Sequence, residues 1–338
     1  MLSLCSSSYK AEELEQKLSK NGFWDFVYFE RNQSSQTGSG IAAGIARNQE
    51  GMILVFRGTN KGEWYSNFHI GKEAEHAGFS AAADFALEKL EAYVKDRSLN
   101  TKSLFLQITG HSRGGAVANL TAKRLIDKNT FKGVSAYTFA SPNTTTSPAA
   151  RSESYKGIFN VTNPEDFICY IPLEAWGYTR YGTDYELPRG ELEENRELYE
   201  KMQSRFLLLT DYNHTGYPNG HKDVKKFLSA AGKLSPTVFD YYNKEIPLYP
   251  NSITLYEYME NAASLLGGEK SLSKGMLLLG GSVSPSFHPI TRFMMQGIRI
   301  EDVTEDSSIT HSAIGCGHTY ETYEAWLNVL NEDYFRKK

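Results

Sequence analysis

The residues best placed to do covalent chemistry are Gly110-His111-Ser112-Arg113-Gly114, a serine set between two glycines within the stretch LFLQITGHSRGGAVANL, Leu104 to Leu120. A serine hydroxyl is a weak nucleophile at neutral pH and needs a base to take its proton and an acid to orient that base. Here the serine follows a short apolar run and opens a pattern of small residues at helical spacing. That is the strand, turn and helix context of a nucleophile elbow, in which a strained turn lifts Oγ clear of the main chain. Gly110 and Gly114, lacking Cβ atoms, let the strand and helix pass closely. The competing reading is a glycine-rich helix start.

In the elbow arrangement the acid and then the histidine follow the serine along the chain. Asp166 is the leading acid: it sits in Asn163-Pro164-Glu165-Asp166-Phe167, just after a predicted strand, where catalytic loops gather at the C-terminal edge of a sheet. Glu165 could substitute, Asp184 and Asp211 are lesser candidates, and an aspartate capping its own turn is the structural alternative. Of the eight histidines, His69, His76 and His111 precede the serine, and His111 reads as a packed neighbour. His214, His221 and His288 fall in an apparent insertion. His318 is favoured over His311 as the base because it abuts the last helix.

An oxyanion formed by attack needs preorganised donors. The backbone N–H of Arg113 is one, and Thr59, at the end of Phe56-Arg57-Gly58-Thr59, offers a second through its N–H or hydroxyl; otherwise Thr59 is a plain strand-end turn residue. His214, His221, Asp211 and Asp223 could hold a metal, but a polar loop is the simpler account, so neither metal nor cofactor is expected. Ser271 to Lys274 spells S-x-x-K without the companion motifs of a penicillin-recognising site.

Elements that must position these groups are legible in outline. A helix is expected from Ser8 to Gly22, and strands from Phe26 to Glu30, Ile41 to Arg47 and Gly51 to Phe56. A polar and aromatic stretch with Trp64, Tyr65 and Phe68 reads equally as a lid or as packing. A helix from Ser80 to Lys95 and strands from Val134 to Ala140 and Gly157 to Thr162 follow. Strands alternating with helices predict an α/β architecture, a mostly parallel sheet covered on both faces. From Tyr178 to Arg299 the texture becomes helical, with helices over Gly190 to Arg205 and Lys222 to Leu234. Sheet elements are expected to resume near Ile298, and Tyr320 to Leu330 forms a last helix with Tyr323, Trp326, Leu327 and Leu330 on one face. The expected division is therefore a core over 1–177, a helical cap over 178–299, and a closing core segment over 300–338 that carries the histidine.

A chain of 338 residues with net charge −4 can bury a real core, and it has no basic stripe. Nucleic acid is excluded as a partner on that ground. Cys5, Cys169 and Cys316 match neither a disulfide framework nor a zinc pattern, and Cys5 lacks the flanks of a lipidation site. The sequons at Asn119 and Asn160 fall in expected helix and strand and read as accidental. No apolar run is long enough for a membrane span. The chain as written is expected in the cytoplasm, or outside the cell where a leader has been removed, with no obligate protein partner evident.

Taken in order, Phe56-Arg57-Gly58-Thr59, His76-Ala77-Gly78-Phe79, Gly110-His111-Ser112-Arg113-Gly114-Gly115, Ala140-Ser141-Pro142 and Asn163-Pro164-Glu165-Asp166 resemble the blocks of the class 3 (fungal-type) lipases. His318 with Tyr323 and Trp326 resembles that family's histidine block. The resemblance covers about 1–175 and 305–338. It implies an α/β-hydrolase fold and hydrolysis of carboxylic esters, often acylglycerols, through an acyl-enzyme. Ser112 would be the nucleophile, Asp166 the acid, His318 the base, and Thr59 with Arg113 the oxyanion hole. The stretch after Thr59 would be a lid in transient contact with a lipid interface. Arg113 stands where the family commonly has leucine, which suggests a charged side chain at the mouth of the site. The long segment between Asp166 and His318 exceeds the compact fungal pattern. The same triad would also serve a phospholipid acyl hydrolase or an acyltransferase, and the same fold a non-catalytic lipid-binding module.

Overall fold

The computed structural model describes residues 1–31, 40–59, 63, 66–67, 69–232, 245–248, 251–254 and 313–335. Two compact units are distinguished. The first comprises Met1–Thr162, Ile168–Pro172 and Gly177–Glu186, and the second Asn163–Phe167, Leu173–Trp176 and Leu187–Lys338.

The first unit is built on a seven-stranded sheet whose strands lie in chain order: β1 Trp24–Arg31, β2 Ile41–Arg47, β3 Gly51–Phe56, β4 Phe105–His111, β5 Gly133–Phe139, β6 Ile158–Thr162 and β7 Thr183–Glu186. The first two pairings are antiparallel and the remaining four parallel. Strand β3, GMILVF, is buried at every residue, as a parallel strand covered on both faces must be. Its side chains alternate. Met52, Leu54 and Phe56 join Leu87 and Leu90 of helix α3 (Ala77–Asp96) and Val117 and Leu120 of helix α4 (Arg113–Lys128) in one core. Ile53 and Val55 point the other way, to Leu4 of α1 (Leu2–Ser7) and Leu14 and Leu18 of α2 (Ala11–Lys20). Each such aliphatic side chain contributes about 1.5–3 kcal/mol by leaving water, so β3 is held from both sides.

The mostly parallel sheet with helices on both faces is the architecture the alternation predicts. Two details differ. The helix expected from Ser8 to Gly22 runs over Ala11–Lys20, and an unexpected helix, Leu2–Ser7, precedes it; between them buried Ser8 turns its Oγ back to the Cys5 carbonyl at 2.6 Å and Lys10 is extended. The sheet also runs on to Glu186, past the boundary expected at 177. Strand β7, TDYE, is too short and polar to show a periodicity. Long-range polar bonds hold it instead: Asp184 accepts from Asn160 Nδ2 at 3.0 Å and pairs with Arg151 at 2.7 Å and Arg180 at 3.2 Å.

The second unit carries α5 (Arg196–Thr210), α6 (His221–Ala231), a hairpin of β8 (Glu245–Leu248) and β9 (Asn251–Thr254), α7 (Ala313–His318) and α8 (Tyr320–Val329). Residues 313–335 group with this unit. Apolar faces of α5 and α8 meet through buried Met202, Phe206, Tyr323 and Trp326, with the Tyr199 and Trp326 rings 6.0 Å apart. Trp64, Tyr65, Phe68, His288, His311, Ser271 to Lys274 and the strand expected near Ile298 lie outside the described residues. Among the described residues no helix is long and apolar enough to cross a membrane.

Candidate active site

Strand β4 ends at His111, and α4 begins at Arg113, so the whole reversal of direction falls on Ser112. Its φ of 57° and ψ of −129° lie in a region that side-chain-bearing residues rarely occupy. The turn is over-determined by its neighbours. Ser112 N–H donates to the Phe139 carbonyl at 2.9 Å, and Ala116 N–H donates to the Ser112 carbonyl at 3.1 Å. A Cβ on Gly110 would stand 2.1 Å from the Gly114 carbonyl oxygen, and one on Gly114 would stand 2.5 Å from the Arg57 oxygen. Only glycine fits at either place. Ser112 is half-buried at the N-terminus of α4, where N–H groups outside the helix ladder and the helix dipole favour negative charge.

Half-buried Thr59 follows β3, and its Oγ1 accepts from Asn67 Nδ2 at 3.1 Å. The Arg113 side chain corrects an expectation: it is not at a mouth but 3% exposed. Its Nη1 donates to Asn67 Oδ1 at 2.7 Å, its Nη2 to the Gly40 carbonyl at 2.8 Å, and Glu63 Oε2 lies 3.9 Å from its Nε. The other Glu63 oxygen binds Arg57 at 2.7 Å, and Arg57 reaches Glu30 at 2.9 Å. Burial pulls the Arg113 pKa down to about 10 against the opposing pull of Glu63, so the group stays charged at neutral pH.

In the second unit, Asp166 and His318 come together. His318 Nδ1 lies 2.8 Å from Asp166 Oδ2, with the carboxylate fully buried and the imidazole partly exposed. Tyr323 Oη donates to the same oxygen at 2.8 Å and accepts Asn163 N–H at 3.0 Å. Asn163 Nδ2 donates to the Gly317 carbonyl at 2.8 Å, which ties the aspartate turn to α7. A carboxylate on Nδ1 fixes the tautomer that leaves Nε2 as a base.

The other candidates are occupied elsewhere. Glu165 is buried among Glu191, Asp223 and the Tyr217 backbone; burial first, and then Glu191, push its pKa up to about 7. Asp184 belongs to the arginine pairs of β7, and Asp211 ends α5 in a left-handed conformation. His221 Nδ1 lies 2.7 Å from the Pro164 carbonyl, and the His214 ring packs edge-on against Phe206 and Tyr199 at 5.0 and 5.9 Å. His76 is buried against Phe79, and burial pushes its pKa down to about 3. Asn67 and Glu63 carried no signal in the sequence. Asn163 and Tyr323 stood in the acid and histidine blocks quoted above, but no role was read for either side chain.

Residues 53–176 match the family model described as Lipase (class 3). The secreted mono- and diacylglycerol lipase 1 of Fusarium solani is 27% identical over 177 residues, 48% of this chain and 53% of that protein. The chain therefore spans about half the length of that relative. Among solved structures, the Rhizomucor miehei lipase propeptide complex aligns at 22% identity over 55% of this chain and 67% of its own, with a TM-score of 0.41. Lipase II from Rhizopus niveus aligns at 18% identity over 54% of this chain and 74% of its own, with a TM-score of 0.42.

Proposed function

We propose that this chain, which belongs to the class 3 lipases through residues 53–176, is a serine hydrolase of carboxylic esters, with acylglycerols or related lipid esters as substrates. The observation that carries the reading is the strained Ser112 turn at the start of α4, an arrangement whose cost a merely structural serine would not require. The name of the Fusarium relative supports partial glycerides as the first substrates to try.

In the proposed mechanism Ser112 Oγ attacks the ester carbonyl as His318 Nε2 takes its proton, and Asp166 stabilises the imidazolium. Negative charge moves to the carbonyl oxygen, where the Arg113 N–H and Thr59 stabilise it. Collapse breaks the acyl–oxygen bond, and the departing alcohol takes the proton from His318. Water, deprotonated by the same imidazole, then attacks the acyl-enzyme and releases the acid and Ser112. The segment after Thr59 acts as a lid that meets a lipid surface.

The test is hydrolysis of monoacylglycerol, diacylglycerol and p-nitrophenyl esters by the wild type and by Ser112→Ala. Serine-dependent turnover, lowered by about 10⁴-fold or more in the variant, is the expected result. Equal hydrolysis by both proteins contradicts the reading.

A further inference from the structure

We propose that the Arg113 side chain is a positioning residue which, through Asn67, sets the Thr59 hydroxyl as an oxyanion donor; this rests on the serine-hydrolase reading above. A guanidinium only donates hydrogen bonds. Its bond to Asn67 at 2.7 Å therefore fixes the amide with Oδ1 toward Arg113. Nδ2 must then face the other way, and it donates to Thr59 Oγ1 at 3.1 Å. Having accepted there, the Thr59 hydroxyl keeps its own proton for another acceptor. The order of donors and acceptors runs one way, from a charge that cannot reverse to a hydroxyl left with its proton to donate.

The surroundings hold this relay in place. The Asn67 carbonyl lies 3.1 Å from His76 Nε2, and a carbonyl only accepts, so that nitrogen carries the hydrogen. The His76 ring stacks on Phe79 at 3.9 Å. Gly78 lets the Ser66 backbone approach: a Cβ there would stand 1.9 Å from the Ser66 oxygen. Burying a guanidinium is costly unless it is paired, and Glu63, shared between Arg57 and Arg113, supplies the counter-charge. Arg113 thus serves twice, its N–H as one donor and its side chain as the group that aims the other. Leucine, which commonly stands here in the family that the chain resembles, retains only the first.

The experiment measures kcat and KM for ester hydrolysis in Asn67→Asp, Arg113→Met and Arg113→Lys, each in the wild type and in a Thr59→Val background. Asp at 67 keeps an acceptor for Arg113 but turns a second acceptor toward Thr59, drawing the hydroxyl proton away from substrate. Asn67→Asp and Arg113→Met are expected to lower kcat by about 10- to 100-fold with KM nearly unchanged. Arg113→Lys, which keeps a donor, should restore most of the loss. In the Thr59→Val background, where there is no hydroxyl to aim, neither substitution should lower kcat further. Asn67→Asp leaves Arg113, Glu63 and Arg57 in place and gives Arg113 a further carboxylate partner, so it covers the case in which Arg113→Met fails to fold. Losses of equal factor in both backgrounds would overturn the proposal. A wild type without Ser112-dependent hydrolysis would overturn the underlying reading, a result distinct from additive losses in an active enzyme.

Discussion

Tyr323 and His318 share one oxygen of Asp166: the phenol and the imidazole each reach Oδ2 at 2.8 Å. The last helix therefore supplies a second donor to the acid, in addition to its part in packing. Tyr323→Phe removes that donor and leaves the Asn163 N–H without its acceptor. A hydrogen bond to a charged group is worth about 1.5–3 kcal/mol, so the variant should be less stable by about that amount. Urea unfolding of the two proteins checks the loss, and a variant as stable as the wild type would contradict this link.

The elbow glycines should differ sharply in tolerance. An alanine Cβ at 110 or 114 meets backbone oxygen at 2.1 or 2.5 Å, but at 115 its nearest neighbour stands at 3.1 Å. Gly110→Ala and Gly114→Ala should cost more than about 3 kcal/mol, as overpacking at rigid backbone does, and Gly115→Ala about 1 kcal/mol or less. Urea unfolding of the three variants checks the order.

Glu165 gives the second unit a pH dependence. Its folded pKa, pushed by burial up to about 7 from an ordinary 4.5, means that the folded state holds a proton there that the unfolded state has released. Stability from this group is full below about pH 4.5, falls as pH rises toward 7, and is gone above that. Glu165→Gln cannot ionise and should flatten the profile. At pH 8 it should be more stable than the wild type by up to about 3 kcal/mol, and at pH 5 much closer to it. Thermal unfolding at the two pH values provides the measurement.

The strands around Ser112 were legible because their information is local. Glycine spacing, apolar runs and the position of Thr59 at a strand end are read within a few residues. Arg113 was misplaced because its partners are remote: Gly40 lies 73 residues away and Asn67 lies 46 away, and a charged residue after a nucleophile suggests exposure by default. Strand β7 has no apolar pattern and exists through bonds to Asn160, Arg151 and Arg180. Preference for His318 came from its nearness to a helix, whereas the Tyr323 hydroxyl, 157 residues from Asp166, was hidden in an apolar face.

In the proposed mechanism Ser112, activated by His318 and Asp166, is the nucleophile that takes up the acyl group. Labelling with a fluorophosphonate, followed by peptide mapping, tests it most directly. One adduct is expected on Ser112 in the wild type, none in Ser112→Ala, and labelling slowed by about 10³-fold or more in His318→Ala. A Ser112 that does not react, or that reacts equally fast without His318, would contradict it.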